Sequence, residues 1–316
     1  MLAPTMVLYG VILGQTSGHD ANAVFQALRA GGVAIGGKSI AFPAPLLRDG
    51  QTADDERAAL RAVAGPGHAV DELLRDSVTA PFVLKLRDET STHDDPIRLA
   101  DLWFAIHADL DAIDPSDVAR LGEADKPIEA GNMRFVTRLL DDRELAARGI
   151  APADRGPTLR EWFTHSSGRL LDRIQVEVTG RSIASRSAGA WVVASRTDPR
   201  FDADGADANR WWPIERRAGR DEIGRAHPYS GAASYVKISR LTSAPGTLLV
   251  EVHLAFEEPR AWFDGAPVLR SKISVIAQDQ VRRLRRELAR SRAPRRERGA
   301  RDPVPGRPRA PLAPRS

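Results

Sequence analysis

The stretch that decides the fold is Thr247-Leu-Leu-Val-Glu-Val-His-Leu-Ala-Phe-Glu-Glu258. Val250, Val252, Leu254 and Phe256 alternate with Glu251, His253 and Glu257, and period-two alternation with branched and aromatic residues predicts an antiparallel strand. Its apolar side is expected to face the core and its acids and His253 to face solvent. After a Glu258-Pro259 turn and a Trp262-Phe-Asp-Gly265 corner, Pro267 opens a second pattern. Leu269, Ile273, Ile276, Val281, Leu284 and Leu288 recur at near-helical spacing, and Arg282, Arg283, Arg285, Arg286 and Arg290 crowd the far end, where cations suit the helix dipole. A long strand feeding a long amphipathic helix is therefore expected.

Working outward, Ser234-Tyr-Val-Lys-Ile238 pairs naturally with residues 247–258 across Ser243-Ala-Pro-Gly246, a hairpin signal. Ile174–Val178, Ala190–Ala194, Met133–Leu139, Leu99–Ile106 and Phe82–Leu86 also read as strands. Short helical pieces are expected at Val24–Leu28, Asp54–Val63, Asp71–Arg75 and Asp141–Arg148. The fold class that follows is α+β, an antiparallel sheet with a long C-terminal amphipathic helix packed on it. Composition shifts divide the chain into four parts. Residues 1–23 read as a signal peptide or a disordered leader, 24–156 as an N-terminal α+β part, and 157–290 as a β-rich part with the C-terminal helix. Residues 291–316 form an Arg- and Pro-rich tail expected to be disordered. The β-rich part is compatible with a single domain that includes 80–156.

The chain has 316 residues, 42% hydrophobic and 28% charged, an ordinary globular composition. Residues 291–316 hold eight Arg against Glu297 and Asp302, a net of +6, so a formal charge of +4 leaves −2 for residues 1–290. Basic character thus belongs to the tail, whose partner would be an anionic surface; lacking interleaved aromatics, it reads better as solubilising. No apolar run approaches the ~20 residues of a membrane span. With no cysteine, disulfides and thiol catalysis are excluded. Met6–Leu13 and Ala21-Asn-Ala23 follow the layout of an export signal, although no Lys or Arg precedes the run. Periplasmic or secreted localisation follows if that segment is cleaved, cytoplasmic localisation if it is not.

Motifs that would carry chemistry fail on context. Gly32-Val-Ala-Ile-Gly-Gly-Lys38-Ser39 spells a phosphate loop, but Pro43 and Pro45 forbid the helix that must follow, so a Gly-rich turn is expected. Asp202–Asn209 alternates oxygen ligands, but a calcium loop needs glycine at its sixth position and glutamate at its twelfth, which here are Asp207 and Pro213. The seven histidines show no metal-binding spacing. No G-x-S-x-G elbow occurs. No cofactor is expected, and the balance leans away from an enzyme. His253 beside Glu251 reads as an exposed cross-strand partner, or as a pocket base if that side lines a cavity.

The C-terminal third, about 170–290, resembles START-like (helix-grip) domains in its order. Tyr229–Ile238 and the 247–258 strand are followed by a Trp-containing corner and a helix closing with Val281-Arg-Arg-Leu-Arg-Arg-Glu-Leu288. The resemblance implies a cavity between sheet and helix for a lipid or small apolar ligand, walled here by Trp191, Tyr235, His253 and Trp262. On that reading the protein is a non-catalytic binding module. The alternative is an interaction or scaffold protein that acts through its surface and tail and has no cavity.

Overall fold

A computed structural model describes residues 18–114, 128–130, 133–151, 156, 158–202, 205 and 207–292. In chain order the elements are α1 (Ala23–Ala30), β1 (Val33–Ile35), β2 (Lys38–Ile40), α2 (Ala53–Ala64), α3 (Val70–Leu73), β3 (Val83–Thr90), β4 (Pro96–His107), β5 (Ile128–Ala130) and β6 (Met133–Leu139). They continue with α4 (Asp142–Ala146), β7 (Leu159–Leu170), β8 (Ile174–Arg186), β9 (Ala190–Thr197), β10 (Arg210–Arg217), β11 (Arg220–Ile223), β12 (His227–Pro228), β13 (Ala232–Arg240), β14 (Thr247–Glu257) and α5 (Val268–Arg292).

Among the described residues twelve strands form one antiparallel sheet, nine of them in the order β3-β4-β14-β13-β9-β8-β7-β6-β5 and the other three, β10, β11 and β12, off this path. The sheet runs unbroken across the 156/157 boundary read from composition. A branch leaves β8, whose last residues pair with β9 while Ile174–Glu177 pair with β10, which in turn carries β11 and β12. Asn209 fills the fork. Its side chain accepts from the Thr179 backbone N–H at 2.7 Å and donates to the Asp198 carbonyl at 3.0 Å, satisfying groups that lose their ladder partners there.

Successive residues of a strand face opposite sides, so the register assigns two faces. One face is covered by α5. Val281 and Leu284 pack with Phe104, Ile106, Trp191, Ile238 and Val250. The other face is covered by α1 and the β1–β2 hairpin, whose Phe25, Leu28 and Ile35 meet Ile97, Val192 and Tyr235, and farther along by Leu60 of α2 and Leu73 of α3 over Ala105 and Leu249. Residues 41–50 cross this second face as an irregular strap.

The α+β class and the closing helix stand as the sequence predicts. The solvent side assigned to β14 does not. Glu251, His253 and Glu257 are buried, whereas Val252, Leu254 and Phe256, on the side expected to form the core, are only half-buried. Alternation reports two faces but not which is wet, because here both are covered. Residues 198–229, for which no strand is read from the sequence, contain β10, β11 and β12. The Gly32–Ser39 motif is a hairpin, with Gly36 and Gly37 at φ +57° and +71° between paired Ile35 and Lys38, so it cradles no phosphate. Lys38 instead pairs with Glu89 at 2.9 Å. The Ala21–Ala23 pattern falls inside the folded body: Asn22 is fully buried, caps α1 through Phe25 N–H, and donates to Ile183 O and Ser185 Oγ. Residues 1–17 and all but the first two residues of the 291–316 tail lie outside the described residues.

Candidate functional site

Two arrangements bear on function, one on each face of the sheet. Under α5, the helix is seated at Leu269 and again from Gln280 to Arg285, and the stretch between them is not. Leu269 is buried near one end and Gln280, Val281, Leu284 and Arg285 toward the other, while Ile273, Ile276 and Ala277 between them are half-buried. Arg285 fixes the C-terminal half by donating to the carbonyls of Ala105, Ala80 and Pro81. Burial lowers its pKa from the usual arginine value to about 10.

On the face that α5 covers, the register places mostly small side chains in one row, with Leu254 among them. Ala100, Leu254, Ser234, Ser195 and Ser182 are successive cross-strand neighbours, and Ser182 and Ser195 hydrogen-bond each other at 2.8 Å. Small residues below and a half-seated stripe above leave apolar surface of Val252, Leu254, Phe256, Ile273 and Ile276 incompletely covered. Gln280 lies on the same stripe of α5. It is 6% exposed, and its Oε1 has no hydrogen-bond partner within the protein. A buried acceptor left unpaired costs about 1–3 kcal/mol, so this atom marks a place where a donor from outside would be stabilising.

On the other face, His253 sits in a carboxylate clamp. Its Nδ1 is 2.6 Å from Asp101 Oδ1 and its Nε2 is 2.8 Å from Glu251 Oε1, with His253 1% exposed and Glu251 2%. Two carboxylate partners require two N–H donors, so the ring is an imidazolium. Burial alone would lower its pKa, but the bonds to Asp101 and Glu251 outweigh that and raise it. Burial likewise pushes Asp101 up, and is outweighed by His253 and by Arg87 at 3.1 Å, so its carboxyl lies below the usual range. Tyr235 leans on the ring, centroids 4.6 Å apart, and Trp103 meets it edge-on. With both nitrogens engaged, His253 has no lone pair with which to take a substrate proton.

The four residues read as cavity wall are thus dispersed. Tyr235 and His253 touch on the strap side. Trp191 lies on the α5 side beside Ile238 and Val250. Trp262 packs with Trp211, Tyr229 and Phe263 beyond the end of β14. Two residues of these arrangements are not singled out by sequence reasoning, Asp101 in the clamp and Gln280 on α5. Asp101 has a signal. A carboxylate in the middle of Leu99-Ala-Asp-Leu-Trp-Phe-Ala-Ile106 must have a buried partner. Gln280 has none, since one glutamine on an amphipathic helix is ordinary.

Among the described residues, no group of three His, Asp or Glu side chains is placed to hold a metal ion, and no helix is long and apolar enough to cross a membrane. No family model matches the chain, and no curated protein matches it.

Proposed function

We propose that this chain is a non-catalytic binding module that holds a small, largely apolar molecule with one hydrogen-bond donor between the middle of α5 and the sheet. The observation that carries the reading is the unpaired Oε1 of buried Gln280 above a row of half-buried apolar side chains. The apolar surface supplies affinity by leaving water, and the single acceptor supplies orientation. The order of strand, Trp corner and closing helix, which carries the resemblance to START-like domains, supports the same reading. The clamped His253 supports a role without catalysis.

The test is native mass spectrometry of the purified full chain, before and after solvent extraction, followed by titration with dodecanol as the apolar hydroxyl probe. One dodecanol per chain is expected. Leu254→Trp, which fills the space below Ile273 and Ile276, should abolish that binding while leaving the melting temperature unchanged or higher. No uptake by the wild-type chain, or a large loss of stability in Leu254→Trp, would mean that the interface is closed. The scaffold reading, with no cavity, would then replace this one.

A further inference from the structure

We infer that a second binding site lies on the opposite face, where the cleft between α1, the strap and the β8–β9 turn takes a small carboxylate-bearing molecule, its carboxylate held by His19 and Lys237. The cleft has a volume of about 950 Å³ and is partly open to solvent, ample for a small organic acid. It is distinct from the site proposed under α5, because the sheet stands between them.

Its inner wall is built rather than incidental. His19 is 5% exposed and lines the cleft, yet its Nε2 has no hydrogen-bond partner within the protein. The other nitrogen is committed: Nδ1 lies 3.0 Å from Ser185 Oγ, which also accepts from Asn22 Nδ2 at 3.1 Å. Ser185 has one hydroxyl proton, and giving it to Nδ1 is the arrangement that uses every group in this network. That tautomer leaves Nε2–H as an unpaired donor. The ring stays neutral at physiological pH, since burial, and after it the charge of Lys237, lowers its pKa to about 4.

Lys237 is the second element. It is 5% exposed and its Nζ donates to the Leu47 carbonyl at 2.7 Å. An ammonium has three N–H groups, and one carbonyl engages only one of them. Asp49, 3.9 Å away, is beyond hydrogen-bonding distance. A buried ammonium gains most from an anion brought within contact, because the surrounding dielectric is low.

The charge of the wall selects the kind of anion. Arg29, Arg48 and Lys237 are set against Asp20 and Asp49, a net of one positive charge among the charged residues lining the cleft. A monoanionic carboxylate matches that balance, and a dianionic phosphate would be pressed against the two aspartates. Phe25, Pro45 and Leu46 on the same wall offer apolar surface for a short hydrocarbon body.

The experiment reads the His19 imidazole directly, by nitrogen-detected NMR of the full wild-type chain titrated separately with hexanoate, hexanol and inorganic phosphate. Hexanoate should shift the Nε2 resonance in a saturable way, while hexanol and phosphate leave it in place. His19→Phe should weaken hexanoate binding at least tenfold, the size expected for one hydrogen bond to a charged group. A His19 resonance indifferent to hexanoate would overturn the site, and equal binding by His19→Phe would do the same by placing hexanoate elsewhere. A phosphate response as large as that of hexanoate would overturn the carboxylate assignment. Because the resonance is read in the wild-type chain, a variant that fails to fold does not remove the test. Dodecanol binding under α5 is scored separately, so either site can fail without the other.

Discussion

The backbone N–H of Leu46 donates to both carboxylate oxygens of Glu251, at 3.0 and 2.9 Å. The same carboxylate accepts from His253 Nε2, so one side chain joins the strap over the sheet to the charged clamp within it. Two further sheet residues bind the strap backbone: Tyr235 Oη donates to Pro43 O at 2.9 Å and Lys237 Nζ to Leu47 O. A segment without ladder partners must place its N–H and C=O groups somewhere, and here side chains of β13 and β14 receive them. Pro43 and Pro45, which bring no N–H, reduce the number to be placed.

Glu251→Gln should therefore loosen the strap and the clamp together. The substitution removes one charge from a buried pair and leaves His253 facing an amide, at a cost of about 3–5 kcal/mol. Denaturant unfolding measures the loss. Amide exchange at Leu46 should accelerate in the variant by more than global destabilisation accounts for. An unchanged Leu46 exchange rate at matched stability would show that the strap is held by packing alone.

The clamp also sets a pH dependence. The folded pKa of His253 lies above its ordinary value near 6.5, so its contribution is complete below pH 6.5 and is lost as pH rises through the folded pKa. Asp101 runs the other way. Its folded pKa is below 3.8, so its contribution is complete above that value and is lost as pH falls through the folded pKa. Melting temperature should fall as pH rises above 6.5 and through the folded pKa in the wild type, and this fall should be shallower in His253→Gln. The same slope in both proteins would assign it to other groups.

Much of this fold is legible in the sequence, and the exceptions share a cause. Met133–Leu139, Thr247–Glu257 and the closing helix are bounded by strong period and punctuation, and they stand where the pattern places them. β7 escapes the pattern because Leu159–Leu170 carries Thr164-His-Ser-Ser-Gly168 in its middle, a polar run with no alternation. Its strand geometry comes from pairing along its length with β8. The candidate sites are less legible. Glu251 and His253 are visible as an alternating polar face, but the residues covering that face lie some 200 positions earlier, in a strap with no periodicity. Burial of a polar face depends on such distant cover and leaves no local trace.

The hairpin at Gly36 gives a direct check on discarding the phosphate-loop reading. Lys38 and Glu89 are both substantially exposed, so Lys38→Ala should change stability by only about 0–1 kcal/mol. Gly36→Ala should cost much more. Its φ of +57° disfavours any Cβ by about 1–2 kcal/mol, and the new methyl would also crowd Ser91 and Glu257. Chemical denaturation of the two variants should rank them in that order. A strong loss in Lys38→Ala together with nucleotide-dependent stabilisation of the wild type would restore a phosphate-binding role.

Gln280 separates stability from binding most cleanly. A buried acceptor without a partner is a standing cost, and replacing it with an apolar group of similar volume removes that cost. Gln280→Leu should therefore raise the unfolding free energy of the ligand-free protein, by about 1–2 kcal/mol, and extend the apolar stripe of α5. The same change deletes the one group on that stripe able to accept from a ligand hydroxyl. Dodecanol should bind the variant several-fold more weakly, whereas dodecane, which has no donor, should bind it at least as well as it binds the wild type. A variant less stable than the wild type would mean that Gln280 already holds the helix in place. Equal affinity for dodecanol would mean that its amide does not orient the ligand. Gain of stability with loss of hydroxyl recognition is the combination that a binding residue, and not a packing residue, produces.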